Sequence, residues 1–177
     1  MIAELAGPTV AYSTDGWGDL FLAAAGATAA LSGLIFVGLS VNLKAVLQAD
    51  RQAGQNFLTG RAIEALVDLL IVLVISLVAL TPEIGRGILA AFVLATAVSS
   101  AISPGLLLMA GHRQQALGVG GWGRLVMATT LTVTLLLAGT TLAAGAGGGL
   151  YWLPAAFVLA IAIAAVNAWI LLVEILR

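Results

Sequence analysis

From Leu20 to Leu43 the chain reads LFLAAAGATAALSGLIFVGLSVNL, 24 residues without a charge. At ~1.5 Å of rise per residue, a helix of that length crosses a ~30 Å hydrocarbon core with some to spare. Lipid offers no hydrogen bonds, so such a segment must be helical and pair its own backbone groups. The rest of the chain agrees. Of 177 residues, 62% are hydrophobic and 8% charged, against ~25% charged in an ordinary soluble domain. Seven basic and eight acidic residues cannot coat a water-soluble globule of this size. The expected fold is therefore all-α: an integral membrane bundle of five transmembrane helices facing the lipid bilayer. The spans fall at about 20–47, 61–81, 87–110, 124–144 and 151–176. They make one domain, 20–177, behind an N-terminal arm, 1–19.

Composition also excludes several function classes. A net charge of −1 gives no basic stripe for a nucleic-acid partner. The lack of cysteine removes disulfides, thiolate metal sites and a cysteine nucleophile. A single histidine, His112, leaves no histidine pair to hold a metal. No cofactor is expected. Nor is an enzyme, because Glu64 and Asp68 alone supply neither a nucleophile with its base nor a metal with its ligands.

The arm carries Glu4, Asp15 and Asp19, and Trp17 belongs at headgroup level. No Lys or Arg precedes the first span, so Leu20–Leu43 reads as retained rather than as a cleaved signal. At 100° per residue, Gly26, Ala29, Ala30, Gly33, Val37, Ser40 and Lys44 share one face of span 1. Small residues on one face let another helix approach closely. Thr28, Ser32, Ile35, Leu39 and Asn42 take the opposite side. Span 1 is thus expected to be a packed, central helix, its small face either a helix contact or a pore lining.

Residues 48–60 read as the longest polar connection. Span 2 is apolar all round in its core and is expected to meet lipid broadly. Its first turns differ, with Arg61, Glu64 and Asp68 at i, i+3 and i+7 on one face. In span 3, Pro104 removes a backbone bond to Ser100 and predicts a kink, with Ser99, Ser100 and Ser103 nearby to satisfy what is freed. A glycine-rich loop, 111–123, follows with His112, Arg113 and Trp122. Thr130, Thr134 and Thr141 line one face of span 4, either bonding their own helix or lining a polar path. The small or polar face of span 5 is Ala156, Ala160, Ala164, Asn167 and Glu174. The triplets Gly16-Trp17-Gly18 and Gly121-Trp122-Gly123, ahead of spans 1 and 4, would fit an inverted repeat but are short.

Six of seven basic residues (Lys44, Arg51, Arg61, Arg113, Arg124 and Arg177) fall on one side of a five-span layout, and Arg86 on the other. The positive-inside rule then places the N-terminus outside and the C-terminus in the cytoplasm. Lys44, Arg61, Glu64, Asp68 and Glu174 gather towards the cytoplasmic end as a charge cluster or ion site. Asp68, ~10 Å in from Arg61, requires a partner, with Lys44 the first candidate and Arg61 the second.

In ALSGLIFVGLSVNLKAVL (30–47) and GRAIEALVDLLIVLVISLVAL (60–80), the chain resembles a family of small multi-span bacterial membrane proteins of unknown function. Some of these are labelled modulators of a membrane-bound protease. The matching positions are Gly33, Gly38, Asn42, Lys44, Arg61 and Glu64. The resemblance implies a multi-pass protein of the bacterial inner (cytoplasmic) membrane and brings no catalytic residue with it. Three functions remain open: a homo-oligomeric channel or pore for an ion or small solute, a non-enzymatic modulator or assembly partner of another membrane protein, and a proton- or ion-coupled carrier. The first is favoured, since small and polar faces outnumber what one five-helix bundle needs.

Overall fold

The computed structural model describes residues 10–53, 57–113 and 119–175. Five helices occupy most of this: α1 (Gly18–Ala53), α2 (Phe57–Ala79), α3 (Arg86–Arg113), α4 (Val119–Ala144) and α5 (Trp152–Ile175), with a 3-10 turn, Gly149–Tyr151, leading into α5. Four apolar segments are long enough to cross a membrane: Gly18–Gln48, Leu58–Ala79, Trp122–Ala144 and Gly149–Val173. The apolar part of α3, Arg86–Ile102, is shorter.

The helices outrun their apolar stretches. The polar connection expected over 48–60 is mostly helix, because α1 continues to Ala53 and α2 begins at Phe57. Polarity marks where a chain leaves hydrocarbon, not where its hydrogen-bond ladder stops. Asp50 shows what sets the boundary. Its carboxylate accepts from the N–H groups of Leu58 (2.9 Å) and Thr59 (3.0 Å) and from the Thr59 hydroxyl (2.6 Å). The orphan donors and positive dipole end of α2 are thereby met by a negative group from α1. Of the glycine-rich loop expected over 111–123, residues 111–113 belong to α3 and 119–123 to α4, so that His112, Arg113 and Trp122 are helical, while 114–118 lie outside the described residues. The side chains of His112 and Arg113 lie outside the described residues, as do Glu4 and Arg177. The two Gly-Trp-Gly triplets also differ in kind. The first bends the chain into α1, with Gly16 at φ +82°, while the second lies inside α4.

Packing reverses the expected roles of the first two spans. Helix α2 packs against α1, α3 and α5, and 56% of its apolar span is buried, against 22% for α1. The greasy helix is the hub, and the small-residue helix lies at the edge. Helix α1 buries Phe21, Ala24, Ala25, Thr28 and Val46. Its small face, Gly26, Ala29, Ala30, Gly33, Val37, Ser40 and Lys44, is exposed throughout. On α5 the small face turns inward as expected: Ala156, Ala160, Ala164 and Asn167 are all buried. The side chain of Glu174 lies outside the described residues.

At one end the core is large. Phe21, Ile75, Leu89, Leu131, Leu135, Leu142, Leu150 and Phe157 belong to one cluster, and the Phe21 and Phe157 rings meet edge to face at 6.3 Å. Residues 10–17 close this end. Leu150 N–H donates to Ala11 O (2.8 Å), the Trp17 indole donates to Val10 O (2.9 Å), and Gly148 N–H donates to the Tyr12 hydroxyl (3.2 Å). Trp17 packs edge-on against Tyr151 at 5.1 Å. Gly149 is required here: its φ is +49°, and a Cβ would stand 2.2 Å from Ala11 O. Towards the other end the apolar clusters are small, Val46 with Leu58, Ala62 and Leu171, and Leu69 with Ala65 and Ala164.

Helix α3 is continuous through the position where Pro104 predicts a kink. Pro104 is buried inside a continuous helix. Ser99 and Ser100 do turn their hydroxyls to the backbone, towards Ala95 O (3.1 Å) and Ala97 O (2.8 Å).

Candidate functional site

The first turns of α2 carry Arg61, Glu64 and Asp68 on the face directed into the bundle, and all three are buried. Glu64 is the centre. Arg124, from the start of α4, donates Nε to Glu64 Oε2 at 2.7 Å. Asn167 of α5 donates Nδ2 to the same oxygen at 3.2 Å and accepts from Arg61 Nη1 at 2.9 Å through Oδ1. The Asn167 amide thus relays between a cation and an anion that share its neighbouring helix. One network joins α2, α4 and α5.

Charges removed from water this way are costly unless each is matched. Here the matching is specific, because the Glu64 carboxylate takes two donors from two helices. Breaking such a pair leaves an uncompensated group in a low-dielectric setting, so the network also fixes how the three helices register.

Arg61, Glu64 and Asn167 come together as the sequence suggests, but three of the expected relations fail. Lys44 is exposed on the outward face of α1 and has no ion pair among the described residues. Asp68 is not paired with Lys44 or with Arg61. Its Oδ2 is buried and has no hydrogen-bond partner. The reason is placement: Arg61 reaches Asn167 instead, and Lys44 points away from the core. Asp68 sits one helical turn, ~6 Å, beyond Glu64 along the axis. Third, the expected cluster omits Arg124, which is the ion partner of Glu64. Its signal was a basic residue in the first turn of a span, at the same level as Glu64.

Within one copy the residues of the other candidate face do not come together. Gly26, Ala30, Gly33 and Ser40 are exposed, and Asn42, half-buried, lies on the opposite side of α1. Thr130 is exposed, Thr141 half-buried and Thr134 buried. Their hydroxyls bond backward along α4, Thr130 to Val126 O (2.7 Å) and Thr134 to Thr130 O (2.8 Å). They form no shared polar path. Thr132 instead meets Ser100 of α3 at 3.0 Å, oxygen to oxygen. A hydroxyl pair without an adjacent base makes no nucleophile. Among the described residues, no three His, Cys, Asp or Glu side chains converge in a way that could hold a metal ion. What the site can do is bind charge and hold helices in register.

Comparison with protein-family models, with curated proteins and with solved structures finds no match.

Proposed function

We propose that this is a five-span protein of the bacterial inner membrane, N-terminus out and C-terminus in, that works as a homo-oligomer. A passage for an ion or small solute then forms between copies along α1. The observation that carries this reading is the outward face of α1. Gly26, Ala29, Ala30, Gly33 and Ser40 make a small-residue stripe that is exposed among the described residues of one copy. The comparable stripe on α5 is spent inside the bundle, where Ala156 and Ala160 are fully buried. Inside lipid, small residues are where helices approach one another. Lys44 extends the face at the charged end, giving a cation next to the axis such an assembly would share. The packed interior of a single copy favours a path between copies over one through it.

The test is particle size in mild detergent together with flux into liposomes. At Gly33 a Cβ would meet no atom within 4 Å, so Gly33→Leu meets no clash at its first side-chain carbon within one copy. Gly33→Leu and Ala30→Leu should reduce the assembly and its flux, while Val41→Leu should not. A monodisperse single copy with no flux would overturn the reading in favour of a partner protein that docks on the same face.

The buried, unpartnered Oδ2 of Asp68 favours a second reading, a carrier coupled to a proton or small cation. In that case Asp68→Asn should abolish flux with assembly unchanged.

A further inference from the structure

Helices α1 and α5 run in the same direction, since Phe21 packs on Phe157 at one end and Val46 clusters with Leu171 at the other. Between these contacts they part. A groove of about 330 Å³, open on one side, runs from Leu31 to Asn42 on α1 and from Ile161 to Leu172 on α5, with Leu69 of α2 as its floor. Asn42 is the one polar residue among the described residues that line it.

We infer that this groove holds one acyl chain of a membrane glycerophospholipid, taken from the leaflet at the charged end. Its length is the first argument. The twelve residues of helix from Leu31 to Asn42 rise ~16 Å, close to half of a ~30 Å hydrocarbon core, which is the depth of one leaflet. Its volume is the second. An apolar cavity of ~150 Å³ accommodates a benzene, so this one has room for roughly twelve carbons. The groove therefore suits a chain of methylenes. Its polarity is the third. Asn42 donates one Nδ2 hydrogen to Gly38 O (2.9 Å) and keeps its second N–H for an acceptor in the groove. Trp169, one turn from both Ala165 and Leu172 along α5, is 66% exposed, an amphipathic ring of the kind found at headgroup level. A donor at one end of an otherwise apolar slot matches the ester and phosphate oxygens of a lipid whose tail lies in the slot.

The inference is independent of how copies assemble, because the groove and the small-residue stripe lie on different faces of α1. It is tested by filling the groove from inside. A Cβ at Gly38 meets nothing within 4 Å, so Gly38→Leu places its side chain in free space. Protein delipidated in mild detergent is titrated with dioleoylphosphatidylethanolamine and, separately, with dioleoylphosphatidylglycerol. Native mass spectrometry counts bound lipid, and a melting curve is recorded at each point. Wild type should take up one tightly held lipid per chain, and its melting temperature should rise with it. Gly38→Leu and Gly38→Leu/Ala168→Leu should bind at least tenfold more weakly and gain no melting temperature from lipid. Gly26→Leu, on the other face of α1, should bind as wild type does. If a double variant fails to fold, Gly38→Leu alone decides the matter. Equal lipid counts in all variants would mean only annular lipid and would overturn the inference. So would a groove-filling variant whose particle size changes while its lipid count does not, since the occupant would then be protein.

Discussion

Where the chain turns from α4 into α5, it is held by backbone and rings: Leu150 N–H on Ala11 O, Gly148 N–H on the Tyr12 hydroxyl, and Trp17 against Tyr151. At the opposite end the corresponding work falls to ions. Glu64 takes Arg124 and Asn167, Asn167 takes Arg61, and Asp50 takes the first turn of α2. The first set depends on shape, above all on a glycine at a backbone angle other residues avoid. The second depends on charge buried away from water. Closing a bundle by shape tolerates changes in solvent but few changes in volume. Closing it by charge tolerates volume changes and penalises an unmatched group.

The largest effect should therefore come from the charged end. Glu64→Ala leaves Arg124 and Asn167 facing an empty site, and breaking a buried pair costs ~3–5 kcal/mol. Denaturant unfolding in detergent micelles would show this, and Glu64→Gln/Arg124→Gln should recover part of the loss, as coupled neighbours do. Strict additivity would mean that the network contributes nothing as a unit.

Next comes the aromatic end. Gly149→Ala forces φ +49° on a residue with a Cβ and drives that atom into Ala11 O. Strain of this kind costs ~1–3 kcal/mol, and the change in Trp17 fluorescence should report the arm lifting from Tyr151. An unchanged melting temperature would show that the arm and the turn are not coupled.

Asp50→Ala should be smaller, ~0.5–2 kcal/mol, as for other losses of a helix cap. Amide exchange at Leu58 and Thr59 should quicken, with no change at Leu150. Lys44→Met should have the least effect on the fold, within ~0.5 kcal/mol, as for an exposed residue without a partner. Combined with Asp68→Asn it should be additive, and coupling between them would contradict the outward placement of Lys44.

Much of the molecule can be read from its residues, though unevenly. The helices follow from apolar length, and the α5 face from the four-residue spacing of Ala156, Ala160 and Ala164. Arg61, Glu64 and Asn167 stand out as polar groups too deep to be idle. What could not be read is direction. In water a polar face marks the outside of a helix, but against lipid both faces of α1 are apolar and small residues suit either. The α1 stripe is legible as a stripe and silent about where it points. Partner choice fails for a related reason. Lys44, Arg61 and Arg124 lie at similar depth, and only the rotation of each helix about its axis decides which of them reaches a carboxylate. Helix ends failed because Asp50 caps across a connection, an arrangement with no local spacing to betray it.

The Asp50 clasp has a consequence in time. It links residues eight and nine positions apart, so it can close as soon as the first two helices have been made. Glu64 waits for Arg124, 60 residues later, and for Asn167, 103 residues later. At ~5–20 residues per second, ribosomes need roughly 3–12 s to reach Arg124. For that interval the hairpin of α1 and α2 is already clasped while Glu64 lacks both of those partners. Chains stalled after residue 113 should accordingly show a protected Asp50 and a Glu64 open to carbodiimide. Chains stalled beyond α5 should protect both. The order of synthesis thus turns the clasp into a scaffold that presents an unfinished acidic site for the later helices to dock on.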